Sequence, residues 1–176
     1  HENSGDNNTD HHLMAAAIFG LNRSNRIELS AGYDRVENIF DPTVLSETDK
    51  FEQTEVAAVY GFGSRGSRLS ADVGVHNTWF RTFNSGQLNS SREYDNVGFT
   101  ATGYYRFLPK TRALLEYSYD DYDYLSSLST LDSEKNTAYI GVTWSATERT
   151  VGTIKLGIED RSFDSAGRED ESGASW

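Results

Sequence analysis

Apolar and polar positions alternate with a period of two along most of this chain. In the run from Val97 to Phe107 the odd positions are Val, Phe, Ala, Gly, Tyr and Phe, and the even ones Gly, Thr, Thr, Tyr and Arg. Successive side chains of a β-strand point to opposite faces, so the pattern describes long strands that part an apolar medium from an aqueous one. A strand of about ten residues, tilted by about 45°, is enough to cross the apolar band of an outer membrane. The alternation predicts eight strands, at Leu13 to Leu21, Arg26 to Phe40, Phe51 to Phe62, Arg68 to Phe83, Asn96 to Phe107, Thr111 to Tyr124, Thr137 to Ala146 and Val151 to Phe163.

The connections between them are of two kinds that take turns. Short ones fall at Asn22 to Asn25, Gly63 to Ser67, Leu108 to Lys110 and Thr147 to Thr150, and long ones near Asp41 to Lys50, Asn84 to Tyr94, Leu125 to Asn136 and Asp164 to Glu171. Short turns on one side and long loops on the other are the plan of outer-membrane barrels, whose short side is periplasmic. Propeller blades repeat at a similar length but use shorter strands, and strands of a soluble sandwich average about five or six residues. The expected fold is therefore all-β: an antiparallel up-and-down transmembrane β-barrel, with about eight strands of a larger barrel present. Residues 1–176 read as one domain and an interior piece of that barrel, with 1–10 a polar loop or terminal segment. The closing Ser172 to Trp176 reads as the start of a further strand, although Asp170, Glu171 and Ser172 lack the alternation of a closing one.

Parity assigns the faces. The lipid-facing set includes Ile27, Leu29, Ala31 and Tyr33; Thr54, Val56, Ala58, Tyr60 and Phe62; Leu69, Ala71, Val73, Val75 and Trp79; and Val97, Phe99, Ala101, Tyr105 and Phe107. It continues through Ala113, Leu115, Tyr117 and Tyr119, then Ala138, Ile140, Val142 and Trp144, and finally Ile154, Leu156 and Ile158. No charge interrupts it, as expected where one at mid-bilayer costs about 2–4 kcal/mol. Its aromatic members fall toward the strand ends, as two interfacial girdles would. The opposite parity lines a lumen with Glu28, Asp34, Glu55, Arg68, Asp72, His76, Arg106, Arg112, Glu116, Asp120, Lys155, Glu159 and Arg161. Such a mixture suits a hydrated path for neutral or weakly charged solutes, and equally a set of self-neutralising ion pairs. Tyr104, Tyr122 and Tyr139 share the inward parity and are candidate stacking surfaces for sugars. Two features break the pattern: Met14, Ala16 and Ile18 make the first strand apolar on both faces, and Leu114 points inward.

Composition narrows the function. A net charge of −11 disfavours nucleic acid as a partner, because binding phosphates takes a basic surface. No run of apolar residues is long enough for a transmembrane helix, and the mean hydropathy of −0.62 does not exclude a barrel, whose strands are half wetted. The absence of cysteine removes disulfides and thiolate metal sites. Seven of the 16 basic residues (Arg23, Arg26, Arg65, Arg68, Lys110, Arg112 and Arg149) lie in or beside short turns, and the long loops are acidic. Arg35 and Arg81, outward at the outer rim, are placed to meet lipid phosphates. Of the histidines His1, His11, His12 and His76, only His76 sits inside a strand, and no nucleophile motif accompanies it. Catalytic residues, bound metal and cofactors are therefore not expected.

Tyr105 to Tyr119, with its Tyr-Arg, Pro-Lys-Thr and Glu-Tyr-Ser-Tyr groups, resembles a hairpin of the β-barrel porin 2 family, as do Trp144 to Thr147, Thr150 to Gly157 and Phe163 to Asp170. The resemblance runs from about Tyr104 to the end and is architectural before that. It implies an outer-membrane β-barrel associated with exopolysaccharide biosynthesis and export, and supplies no catalytic motif. The expected function is a porin-like channel of the bacterial outer membrane, serving exopolysaccharide export or passage of polar solutes. Its expected partners are outer-membrane lipid, lipopolysaccharide, polysaccharide and periplasmic export machinery. The alternative is a structural or adhesive anchor whose long loops bind partners.

Overall fold

The computed structural model describes residues 10–38, 49–64, 66–83, 92–145 and 150–176. Within them lie nine strands and no helix: β1 (His11–Gly20), β2 (Asn25–Asn38), β3 (Asp49–Phe62), β4 (Leu69–Thr82), β5 (Tyr94–Leu108), β6 (Thr111–Tyr124), β7 (Ser133–Ser145), β8 (Val151–Phe163) and β9 (Glu171–Ser175). Every strand pairs antiparallel with its sequence neighbours, giving one sheet in the order β1 to β9. The sheet is open: β1 and β9 are its two edges and do not pair with each other. β2 to β8 each span 13 to 15 residues, more than the about ten that suffice to cross an apolar band. The ninth strand extends the eight read from the sequence, and its Glu171-Ser172-Gly173-Ala174-Ser175 carries so little apolar character that backbone pairing with β8 alone defines it.

Local chemistry sets the turns. At the β1–β2 turn, Asn22 folds its side-chain oxygen back to accept from the backbone N–H of Ser24 (2.8 Å) and Asn25 (2.9 Å), the Asx arrangement that suits asparagine to tight reversals. Gly63 leaves β3 at φ +83°, open to glycine because a Cβ there would sit 2.7 Å from the Leu69 carbonyl oxygen. Its N–H donates to the Ser24 carbonyl at 2.6 Å, tying two short turns together. At the far end, Asp132 accepts from Tyr124 N–H (2.8 Å) and Asp170 from Phe163 N–H (3.0 Å), closing the two described long connections. The expectations for residues 1–9, for 39–48 with Asp41 and Glu47, for 84–91, for Arg65 and for 146–149 with Arg149 lie outside the described residues.

The register carries the predicted parity across the whole sheet. One row runs Ile27, Tyr60, Val73, Ala101, Tyr117, Ala138 and Ile158 on one face; the neighbouring row runs Glu28, Val59, Gly74, Thr100, Ser118, Thr137 and Glu159 on the other. Burial is inverted relative to a water-soluble sandwich. The apolar face is open, with Ile140 69% and Leu156 63% exposed, while the buried polar side chains, Thr78, Asn96, Thr102, Ser133, Thr137 and Thr143, all belong to the polar face. The single buried large apolar residue among those described is Leu114, 5% exposed, also on the polar face between Tyr104 and Gly141. Its break with the sequence pattern thus has a local explanation, a covered niche in the polar lining. Side chains two strands apart touch across the polar face and crowd it. β1 is exposed along its length, including Met14 and Ile18, as befits an edge strand with one neighbour.

Candidate functional site: the polar face

Two ion pairs and one His–Asp hydrogen bond skip a strand, and glycine lets them do so. Arg26, Gly61 and Asp72 are opposite one another on β2, β3 and β4, and Arg26 Nη2 reaches Asp72 at 2.8 Å over Gly61. His76, Gly98 and Asp120 repeat the arrangement on β4, β5 and β6, with Nε2 of His76 3.1 Å from Asp120 Oδ1 and 3.0 Å from Asn96 Oδ1. Both partners are acceptors once Asp120 is ionised, so Nε2 carries the proton. On β6 to β8, Lys155 Nζ reaches Glu116 at 2.8 Å; Gly141 separates Leu114 from Lys155, and Tyr139 separates Glu116 from Gly157. A side chain at Gly61 or Gly98 would occupy the volume that the paired side chains use: an added Cβ would lie 2.1 Å from Arg26 Nη1 and 2.0 Å from His76 Cε1 respectively.

The remaining predicted lumen residues find varied surroundings. Glu28 accepts from Arg26 Nε, Asp34 lies 2.6 Å from His12 Nδ1 on the neighbouring strand, and Glu159 pairs with Lys135 at 3.0 Å. Arg161 donates from Nε to Ser133 Oγ at 3.0 Å, and its guanidinium lies 5.0 Å from the centre of the Tyr122 ring and 5.3 Å from that of Phe163. Arg106 and Arg112 face each other beside the register shift at the β5–β6 turn, and Arg112 sits over Tyr104 at 4.7 Å. Arg68 departs from its expected place. It precedes the first paired residue of β4, where strand alternation no longer dictates direction, and its guanidinium donates to Tyr105 Oη at 2.7 Å on the apolar side. Arg81, expected at lipid phosphates, is held by Asp95 at 2.6 Å and by the Phe80 and Tyr94 carbonyls. Arg35 lies 4.9 Å from the centre of the Phe83 ring.

A cation sits over each of the three candidate stacking tyrosines: Arg112 over Tyr104, Lys155 Nζ 4.7 Å from the centre of Tyr139, and Arg161 over Tyr122. Tyr122 also belongs to a ladder of rings on the polar face at the long-loop end. Phe51 stacks on Phe80 at 5.6 Å, Phe80 on Tyr94 at 5.4 Å, and Tyr94 meets Tyr122 edge-on at 5.6 Å and Tyr124 at 5.4 Å. Sequence reasoning missed Phe51, Phe80, Tyr94 and Tyr124, together with Arg26, Asn96 and Lys135 as partners. The inward parity of Phe51, Phe80, Tyr124, Arg26 and Asn96 was legible, whereas Tyr94 and Lys135 fell in expected long loops that the structure makes strand ends; the meeting of all of them depends on register. Beside the ladder lies a groove of about 360 Å³ lined by Glu55, His76, Asn96, Asp120, Tyr94 and Tyr122 among others. Asn96, 4% exposed, anchors it by donating to the Asp121 carbonyl at 3.2 Å.

Among the described residues no cluster of three or more His, Cys, Asp or Glu is arranged to hold a metal ion. Compared with known protein families, with curated proteins and with solved structures, the chain shows no match.

Proposed function

We propose that this sheet forms part of the wall of an outer-membrane β-barrel, its apolar face toward lipid and its polar face toward a hydrated channel through which polar solutes pass or exopolysaccharide is exported. One observation carries the proposal: the sheet leaves its aliphatic face open and buries threonine, serine and asparagine on the other. An aliphatic face as continuous as Leu29, Val56, Val75, Phe99, Leu115, Ile140 and Leu156 is costly in water, at about 25 cal/mol per Å² of apolar area, and hydrocarbon removes that cost. An exposed apolar expanse of this kind marks a membrane or partner surface. Hydroxyls at the ends of the band support the same orientation: Tyr60 Oη donates to Asn25 at 2.8 Å, and Tyr117 Oη to Asn136 at 2.6 Å, as interfacial tyrosines with wet tips do.

The experiment is insertion followed by conductance. The chain, expressed with an export signal, is expected to stay with the outer-membrane pellet through alkaline extraction, and the protein reconstituted in planar bilayers to pass ions in discrete steps. Release into the aqueous fraction overturns the membrane assignment; stable insertion without any ion flow overturns the channel.

A further inference from the structure

We infer that the groove beside the aromatic ladder is a subsite for a neutral hexopyranose chain, an inference that rests on the polar face lining a solute path and names what that path recognises. A pyranose presents an apolar face of C–H groups and a rim of hydroxyls, so a site for it needs an aromatic surface and hydrogen-bonding groups together. Both are fixed in place here. Tyr94 is held between Phe80 at 5.4 Å and Tyr122 at 5.6 Å, so its ring is oriented before a ligand arrives. The successive rings follow one another at 5.4–5.6 Å, a step of the order of a sugar ring's own length, across β3, β4, β5 and β6.

Polar groups below the ladder decide the charge of the ligand. Glu55 and Asp120 bring carboxylates to the groove, and His76, with its proton on Nε2, leaves Nδ1 as an acceptor. Acceptors of this kind take hydrogen bonds from sugar hydroxyls and repel a polyanionic chain. Of the neighbouring cations, Lys135 is paired with Glu159, and Arg161, which donates to Ser133, stands over the Tyr122 ring at the groove's wall, one cation against the carboxylates of Glu55 and Asp120. Gly74, facing the same side, forms part of the groove's floor.

Saturation-transfer NMR on the detergent-solubilised full chain tests this, with maltohexaose and cellohexaose as neutral probes and hexagalacturonate as the anionic one. At least one neutral hexasaccharide is expected to receive saturation and the anionic one to receive none. Tyr94→Leu is expected to weaken binding about five-fold, the loss of one aromatic contact, and Glu55→Gln about three-fold, the loss of one charged acceptor. Tyr105→Leu, on the opposite face, is expected to leave binding unchanged. Silence of both neutral probes, hexagalacturonate binding as well as they do, or equal effects of Tyr94→Leu and Tyr105→Leu overturns the subsite; Glu55→Gln decides if Tyr94→Leu fails to fold. Conductance separates the two proposals: sugar binding without ion flow overturns the channel and sustains the subsite, whereas ion flow without sugar binding does the reverse.

Discussion

Replacing Gly98 by alanine puts a methyl group into the contact between His76 and Asp120. The added Cβ would stand 2.0 Å from His76 Cε1, 2.4 Å from Nε2 and 2.6 Å from Asp120 Oδ1, so neither side chain can keep its position. Forcing atoms into a filled site costs about 1–3 kcal/mol. Displacing the imidazole also disturbs its bonds to Asn96 and Asp120, each contributing about 0.5–1.5 kcal/mol. Against this, exchanging glycine for alanine within a strand returns about 0.5–1 kcal/mol by restricting the unfolded chain. The expected net loss is about 2 kcal/mol. Gly32→Ala on β2 is the internal reference, because a Cβ added there would meet nothing within 4 Å; it should be neutral or stabilise by about 0.5 kcal/mol. Urea unfolding of protein refolded into detergent micelles, followed by the emission of its three tryptophans, measures both. Steric conflict with the ring further requires that Gly98→Ala cost little when added to His76→Ala, which the double-mutant cycle reads directly. Equal stability of Gly98→Ala and Gly32→Ala, or strict additivity of Gly98→Ala with His76→Ala, would refute the glycine-bridged contact.

Other expectations follow from the same geometry. Leu156→Arg should lower stability in lipid vesicles by about 2–4 kcal/mol, and Ser30→Arg, on the polar face, by much less; comparable losses in a refolding titration would contradict the assignment of faces. Lys155→Met strips Glu116 of its cation at 2.8 Å, leaving among the described residues a 3.4 Å hydrogen bond from Thr102, and should cost about 1–2 kcal/mol, recovered in part by adding Glu116→Gln. That recovery is the check, because a purely steric effect of methionine would persist. Gly63→Ala should destabilise by about 1–2 kcal/mol, since alanine resists the positive φ of that turn; an unchanged urea midpoint would show that the turn can rearrange.

Much of this molecule is local in origin and therefore legible in the chain itself. Period-two alternation depends only on neighbouring residues, so the eight main strands, the alternation of short and long connections, and the face taken by residues such as Leu156 and Glu116 could be read before any pairing was known. The face of Arg68 could not, because it lies one residue outside the paired strand. β9 was legible only as the start of a further strand at Ser172 to Trp176, since Glu171–Ser175 has no apolar alternation and is defined by its hydrogen bonds to β8. Register is a relation between segments distant in sequence, and it alone sets Gly61 between Arg26 and Asp72, sets Gly98 between His76 and Asp120, and brings Phe51, Phe80, Tyr94 and Tyr122 into one ladder. Alternation says which side of the sheet a residue occupies; only the paired sheet says whom it meets there, because contacts across two strands need the hydrogen-bonded register that aligns both partners with the glycine between them.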